Sequence, residues 1–340
     1  MRPDRRKLVL GGLATGAGLA FGPIAAQAQA ATRPPIFVLN SLDATLSVID
    51  PVTYTELRRV PTGKEPHHLY LAPDERSLLV ANAMSDSLTL VDPRTGELQR
   101  TIPDIVDPYQ LRFSPDMKWF CTAANRPNHV DIYRVTKSSA AGGFDLSLAK
   151  RVPASKTPSH QMIDTRSTVL YVSLQDSDQL VAIDLATQSI RWTTSVGKMP
   201  ADVYVTHDDR TLFVGLTGDS VVEAWDVSGA APKLLKRIPT GEGAHAFRAW
   251  GDKRHVLVSN RVANTISRID TQGMVVVDTY PAPGGPDCMD VSADQRYIYV
   301  ASRWARKLTI IDTQSRKVVQ QVNVGKSPHG VWTLEHAGRL

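Results

Sequence analysis

The sequence predicts an all-β chain, a seven-bladed β-propeller of four-stranded blades, closed by a C-terminal inner strand paired with three N-terminal strands. Three observations carry this. A phrase of the form Gly-x-x-Pro-His recurs, from Gly63-Lys64-Glu65-Pro66-His67 to Gly325-Lys326-Ser327-Pro328-His329. Counted on the Pro, or on the Gly that replaces it, the anchors fall at residues 66, 108, 158, 200, 243, 286 and 328, at spacings of 42, 50, 42, 43, 43 and 42. A period of this length, broken by one long spacing, belongs to a repeat architecture. Within each period, short β-branched or apolar runs alternate with turn formers, and four such runs make a propeller blade.

The chain opens with an export signal over residues 1–30. Arg2, Arg5, Arg6 and Lys7 precede a Gly/Ala/Leu-rich run, and small residues at Ala26-Gln27-Ala28 and Ala28-Gln29-Ala30 suit cleavage. Arg5-Arg6 followed by Lys7-Leu8-Val9 resembles a twin-arginine signal, with Asp4 where Ser or Thr is usual; an ordinary secretory signal is the alternative. The run from Leu8 to Ala26 holds five glycines, which dilutes it as a membrane span, so no span remains after cleavage. The signal carries four basic residues and one acidic one, +3 of the formal +5, which leaves the mature chain near +2. That weakens nucleic acid as a partner without removing it.

Residues 31–340 form a single propeller domain. In the first full repeat the strands are Leu69–Leu71, Ser77–Ala81, Leu88–Val91 and Glu97–Thr101, divided by turns such as Asp92-Pro93-Arg94-Thr95-Gly96. Asp50, Asp92, Asp131, Asp184, Asp226, Asp270 and Asp312 each end a third strand, where a carboxylate accepts hydrogen bonds from the next turn. The chain ends are complementary. Ile36–Asn40, Thr45–Asp50 and Glu56–Val60 lack an inner strand, and Val331–Glu335 is an inner strand with nothing after it. Pairing them completes a blade and removes exposed sheet edges. The single long spacing comes from residues 136–150, which extend one outer hairpin. Cys121 and Cys288 fall in distant repeats at different points of the repeat, so both are expected as free thiols. No amphipathic helix or heptad argues for an oligomer, and a monomer is expected.

Repeats with Gly-x-x-Pro-His, then Leu78-Leu79-Val80-Ala81-Asn82, then Leu88-Thr89-Leu90-Val91-Asp92 resemble the YVTN-type propellers of exported YncE-like bacterial proteins. The resemblance spans the mature chain. It implies the fold and a periplasmic or secreted location, and it leaves function open among binding, surface-layer, lactonase-related and cofactor-handling proteins. The likeness to copper-bearing and haem d1-associated propellers stops at ring architecture and channel histidines.

Five of the nine histidines fall in the anchor segments. Those segments, taken as loops around the channel mouth, bring forward His67, His68, Tyr109, Gln110, Ser159, His160, Asp202, His245, Asp287, Cys288 and His329. The loops between second and third strands add Asn82, Met84, Asn125, Arg126, Gln175, Arg261, Arg303 and Trp304. His67 and His329 hold the repeat's ordinary Pro-His place. His68, His160 and His245 stand one residue further on, which singles them out as metal ligands. Neutral imidazoles suit copper, zinc or a non-covalent haem iron, with Asp202 and Cys288 as harder and softer supplements. No Cys-x-x-Cys-His haem attachment, nucleophile elbow, zinc-protease helix or phosphate loop is present. Arg261, Arg303, Arg306 and Lys307 around Trp304 form the alternative face, for an anion or single-stranded nucleic acid.

Three functions stay open at this level. The first is binding of a small ligand, metal or protein partner at the histidine-lined mouth. The second is a metal- or haem-dependent enzyme or cofactor handler. The third is a lactonase- or lyase-like enzyme with a channel histidine as general base.

Overall fold

Seven four-stranded antiparallel sheets follow one another along the chain. The computed structural model describes residues 33–339; the export signal expected over residues 1–30 lies outside them. The first blade runs from the inner strand Pro66–Leu71 through Leu78–Asn82 and Ser87–Val91 to the outer strand Leu98–Pro103. The inner strands of the second to sixth blades are Pro108–Phe113, Pro158–Ile163, Pro200–Val205, Ala244–Ala249 and Pro286–Val291. The seventh blade is composite: its inner strand Pro328–Thr333 pairs with Ile36–Asn40, followed by Thr45–Ile49 and Glu56–Pro61.

Burial within a blade explains its sequence pattern. Middle strands such as Leu78–Asn82 and Ile36–Asn40 are buried at every position, because neighbouring blades cover both faces. Such strands read as unbroken apolar runs. Outer strands have one neighbour edge and much solvent, and only Ile102 is buried in Leu98–Pro103. The core lies between blades. Phe37, Leu46 and Val48 of the seventh blade pack with Leu78, Val80 and Val91 of the first, around Trp332. Register across the closure is Ile36↔Thr333, Phe37↔Trp332 and Val38↔Val331.

Two local expectations shift. The closing inner strand begins at Pro328 and ends at Thr333, earlier than Val331–Glu335. Likewise the anchor residues open the inner strands and do not form loops. The physical cause is a bulge: Pro66 pairs with Asn82 but Leu69 with Val80, so His67 and His68 face one partner residue. The same two-against-one step follows Pro158, Pro200, Ala244 and Pro286. A bulge bends the strand and re-aims the side chains at its start.

The expected turn acceptors mostly hold, with Asp50, Asp92, Asp184, Asp226, Asp270 and Asp312 accepting backbone N–H bonds at 2.7–3.1 Å. Asp131 departs. It lies inside the long strand His129–Lys137, which pairs with Phe144–Pro153 in the extended hairpin, and it accepts from Arg151 instead. Cys121 and Cys288 are free.

Candidate functional site

With matching register shifts after Pro108 and Pro328, the seven bulges lie at one end of the central channel and set two tiers of side chains around it. Ladder pairing defines the tiers. Ala244 stands opposite Asn260 as Pro66 stands opposite Asn82. The residue equivalent to the anchor proline in the fifth blade is therefore Ala244, one beyond Gly243. His245 then belongs with His67, Asp287 and His329 in the first tier, which Tyr109, Ser159 and Ala201 complete. The second tier holds His68, Gln110, His160, Asp202, Ala246, Cys288 and Gly330. Four consecutive blades, from the fifth round to the first, thus present His245, Asp287, His329 and His67 at one level.

The imidazole rings crowd together. Ring centroids are 3.7 Å apart for His67 and His329, 4.9 Å for His68 and His329, 5.0 Å for His68 and His160, and 5.6 Å for His160 and His245. His67, His160, His245 and His329 are buried and His68 is half-buried. His68, His160 and His245 are neighbours but not a compact donor set. The tight groups, with donor atoms all within 4.8 Å of one another, are His67, His68 and His329, and His245, Asp287 and His329. His329 is common to both.

Asp287 is the anionic centre of the first tier. Its Oδ2 accepts from Arg261 at 2.7 Å and from Arg303 at 3.1 Å. Its Oδ1 faces His245 Nε2 at 3.3 Å and His329 Nε2 at 3.4 Å, with no hydrogen bond to either. His329 Nδ1 lies 2.8 Å from the His67 carbonyl oxygen, to which it donates. In a neutral ring that assignment leaves Nε2 as a bare lone pair aimed at a carboxylate oxygen. Among the described residues, His67 Nδ1, His68 Nε2, His160 Nε2 and both ring nitrogens of His245 also lack hydrogen-bond partners.

Burial holds these imidazoles neutral. It pushes His67, His68 and His329 well below their ordinary value, lowers His160, and with Arg261 lowers His245 to about 4. Burial is the largest single influence on the Asp287 carboxyl and would raise it, but Arg261, His329 and His245 together outweigh burial and keep the group well below the usual carboxylate range. The Cys288 thiol is pushed well up by burial and by Asp287, so it is protonated and weakly nucleophilic.

Other sequence candidates have structural partners. Gln110 Oε1 accepts from the Gln161 backbone at 2.9 Å, and Asp202 Oδ2 from Phe247 at 2.8 Å, so both tie adjacent inner strands together. Asn82 donates to Thr89 at 2.9 Å, and Arg126 pairs with Asp107. Tyr109 packs against His67 with centroids 3.9 Å apart and the rings tilted by 37°. Trp304 is 58% exposed. Its ring lies so close to Gly285 that a Cβ there would stand 2.4 Å from it. Arg261 and Arg303, expected on a basic surface, instead turn inward to Asp287. That leaves Trp304 with fewer free cations beside it.

Below the tiers the channel narrows to a cavity of about 100 Å³, lined by His68, Gln110, Asp202 and Cys288 above and by Arg112, Arg248 and Arg339 below. Two of these cations share Asp290, which accepts from Arg248 at 2.8 Å and from Arg339 at 2.7 Å. Arg248 also donates to the Ala337 and Gly338 carbonyls at 2.7 and 3.0 Å. Sequence reasoning passed over this lower cluster. The cation of Arg248 inside the inner strand Ala244–Ala249 was the available signal.

Comparison with known proteins places this architecture. The model of the YNCE-like beta-propeller family matches residues 8–339. The chain belongs to that family. A search of curated proteins finds no match. Solved structures similar to this YNCE-like propeller include the Pseudomonas aeruginosa periplasmic gluconolactonase PpgL, at 19% identity and TM-score 0.74 over 90% of this chain and 99% of that one. A functionally unknown protein from Desulfotomaculum acetoxidans matches at 12% identity and TM-score 0.74, over 88% and 98% of the two chains. The dihydro-heme d1 dehydrogenase NirN matches at 17% identity and TM-score 0.65, over 92% and 78%. At these identities the likeness is one of fold. Among the described residues no helix is long and apolar enough to cross a membrane.

Proposed function

We propose that this YNCE-like propeller is a monomeric exported protein of the periplasm or cell exterior that binds a small polar ligand at its axial histidine face. The observation that carries the reading is the set of unpartnered nitrogens on His67, His68, His160, His245 and His329 together with Asp287 Oδ1. Buried polar groups are ordinarily hydrogen-bonded, and each one left without a partner costs about 1–3 kcal/mol. Six such residues around one axis are an energetic cost that a ligand would recover. The Arg5-Arg6 signal and small-residue cleavage sites support export.

Size narrows the ligand. The cavity of about 100 Å³ falls well short of the roughly 300–1,000 Å³ of sites for drug-sized molecules. A haem macrocycle does not fit within that cavity, which His68 alone of the five histidines lines; His67, His160, His245 and His329 are buried outside it. Ligands of a few atoms fit. A lactonase-like reaction is the second reading, favoured by a neutral His329 facing a carboxylate in a fold shared with the gluconolactonase PpgL.

The test uses protein purified from its exported form, dialysed against EDTA and screened by thermal unfolding with azide, formate, imidazole and gluconolactone. At least one probe raises Tm, and the rise disappears in His68→Ala and His160→Ala variants that fold as wild type does. If no probe shifts Tm, the binding-site reading falls. Gluconolactone turnover abolished by His329→Ala selects the second reading.

A further inference from the structure

Three features of the axis stand apart from simple ligand binding. The first is spacing. Asp287 Oδ1 lies 3.3 Å from His245 Nε2 and 3.4 Å from His329 Nε2. Donors held about 2.0–2.1 Å from a tetrahedral metal ion lie about 3.3–3.4 Å from one another. Two edges of that polyhedron are therefore already set. The second feature is orientation. Donation from His329 Nδ1 to the His67 carbonyl fixes the tautomer that exposes Nε2. Arg261 and Arg303 hold Asp287 by Oδ2 and leave Oδ1 bare. This is the supporting arrangement that metal-ligating histidines and carboxylates commonly have. The third is the absence of competing partners: Asp287 Oδ1, His245 Nε2 and His329 Nε2 are buried without hydrogen bonds among the described residues.

We propose that His245, Asp287 and His329 form a three-ligand site for one first-row divalent cation of the zinc or copper class, with a fourth position open to an anion. The site deepens the ligand-binding reading of the axial face and rests on it. It draws its donors from three adjacent blades and differs from the set of His68, His160 and His245 that spacing in the sequence favoured. The competing group of His67, His68 and His329 needs the same His329 Nε2, so one ion excludes the other; the set containing a carboxylate offsets the ion's charge better. Charge also specifies the fourth ligand. Asp287 supplies one negative charge, whereas Arg261, Arg303 and a divalent ion supply four positive ones. An anion such as hydroxide, azide or a small carboxylate reduces that excess.

Equilibrium dialysis of EDTA-treated protein against zinc, with metal quantified by elemental analysis, tests the site. One zinc per chain is expected. Asp287→Asn and His245→Gln each weaken it by about a hundredfold or more, larger than the roughly 10–100-fold effect of losing only a supporting partner. His207→Gln, at an exposed histidine away from the channel, leaves it unchanged. Because Asp287→Asn also disturbs Arg261 and Arg303, His245→Gln is the deciding variant, accompanied by circular dichroism to show that it folds. Substituted cobalt(II) should give the intense visible bands of four-coordination, and azide should shift them. No stoichiometric zinc, or zinc retained in His245→Gln, overturns the metal site. If zinc fails to bind while azide or formate still protects the metal-free protein, only the metal site falls; if both fail, the ligand-binding reading falls with it.

Discussion

The Oδ1 atom of Asp287 stands 3.4 Å from Nε2 of His329, and no hydrogen bond joins them. The carboxylate is kept ionised from its other side, by two guanidinium groups whose side chains are only 20% and 26% exposed. Asp287→Asn should therefore destabilise metal-free protein by about 2–4 kcal/mol, because it strands two largely buried cations. Denaturant unfolding measures the loss, and the double variant Asp287→Asn/Arg303→Leu should regain part of it. A loss under about 0.5 kcal/mol in the single variant would contradict the pairing.

Acid should unfold the metal-free protein early. Unfolded histidines take up protons near pH 6.5, at an ordinary pKa of about that value. The buried ones resist protonation, His245 down to about pH 4. The unfolded chain thus binds more protons as pH falls below about 6.5, and stability declines by about 1.4 kcal/mol per pH unit for each histidine held neutral. Thermal melts in EDTA should show Tm dropping steeply below about pH 6.5. The drop should be shallower in His160→Ala, which removes one of these groups.

Closure of the ring rests on Pro328–Thr333 pairing with Ile36–Asn40. A chain ending at residue 327 should lose cooperative unfolding altogether. Trp332→Ala is the milder probe. Trp332 is 1% exposed in the core between the seventh and first blades, and its truncation should cost about 3–5 kcal/mol by chemical denaturation.

The lower end of the channel is fastened by Arg248. Arg248→Met removes the donor to Asp290 and to the Ala337 and Gly338 carbonyls. It should cost about 3–5 kcal/mol and expose residues 336–339 to carboxypeptidase digestion, followed by mass spectrometry. A tail as resistant as that of the wild type would contradict the fastening role.

Neither thiol should react readily in the folded state. Burial raises Cys121, and burial with Asp287 raises Cys288. A disulfide reagent at neutral pH should titrate far less than one equivalent per chain before denaturation and about two equivalents after it.

The architecture could be read from residues because propeller strands leave a periodic trace. Leu78–Asn82 and Ile36–Asn40 are apolar up to a closing asparagine, as burial between two blades demands, and Asp50, Asp92 and Asp312 mark the turns. The functional face was legible as a set of residues but not as an arrangement. His67, His68, His160, His245, Asp287 and His329 all arise from the repeat phrase. Their tiers do not, because the bulge hides which residue aligns with which: Gly243 imitates an anchor that the ladder assigns to Ala244. One residue of slip moves His245 between tiers. Arg261 and Arg303 were found as cations, but the repeat does not encode their inward turn to Asp287. Asp290 and Arg339 left no sequence trace, since their partners lie on another blade and on the tail.

The composite seventh blade also orders events in time. Residue 36 must wait for residue 333 before its strand has an inner partner, so a pairing that spans nearly all of the described residues is among the last that synthesis makes available. Long-range strand pairing of this kind slows folding. Until it forms, a partly built ring presents two free sheet edges, and one belongs to the fully buried strand Ile36–Asn40. The interval before closure is when this protein is most exposed to aggregation, and chaperone dependence should concentrate there.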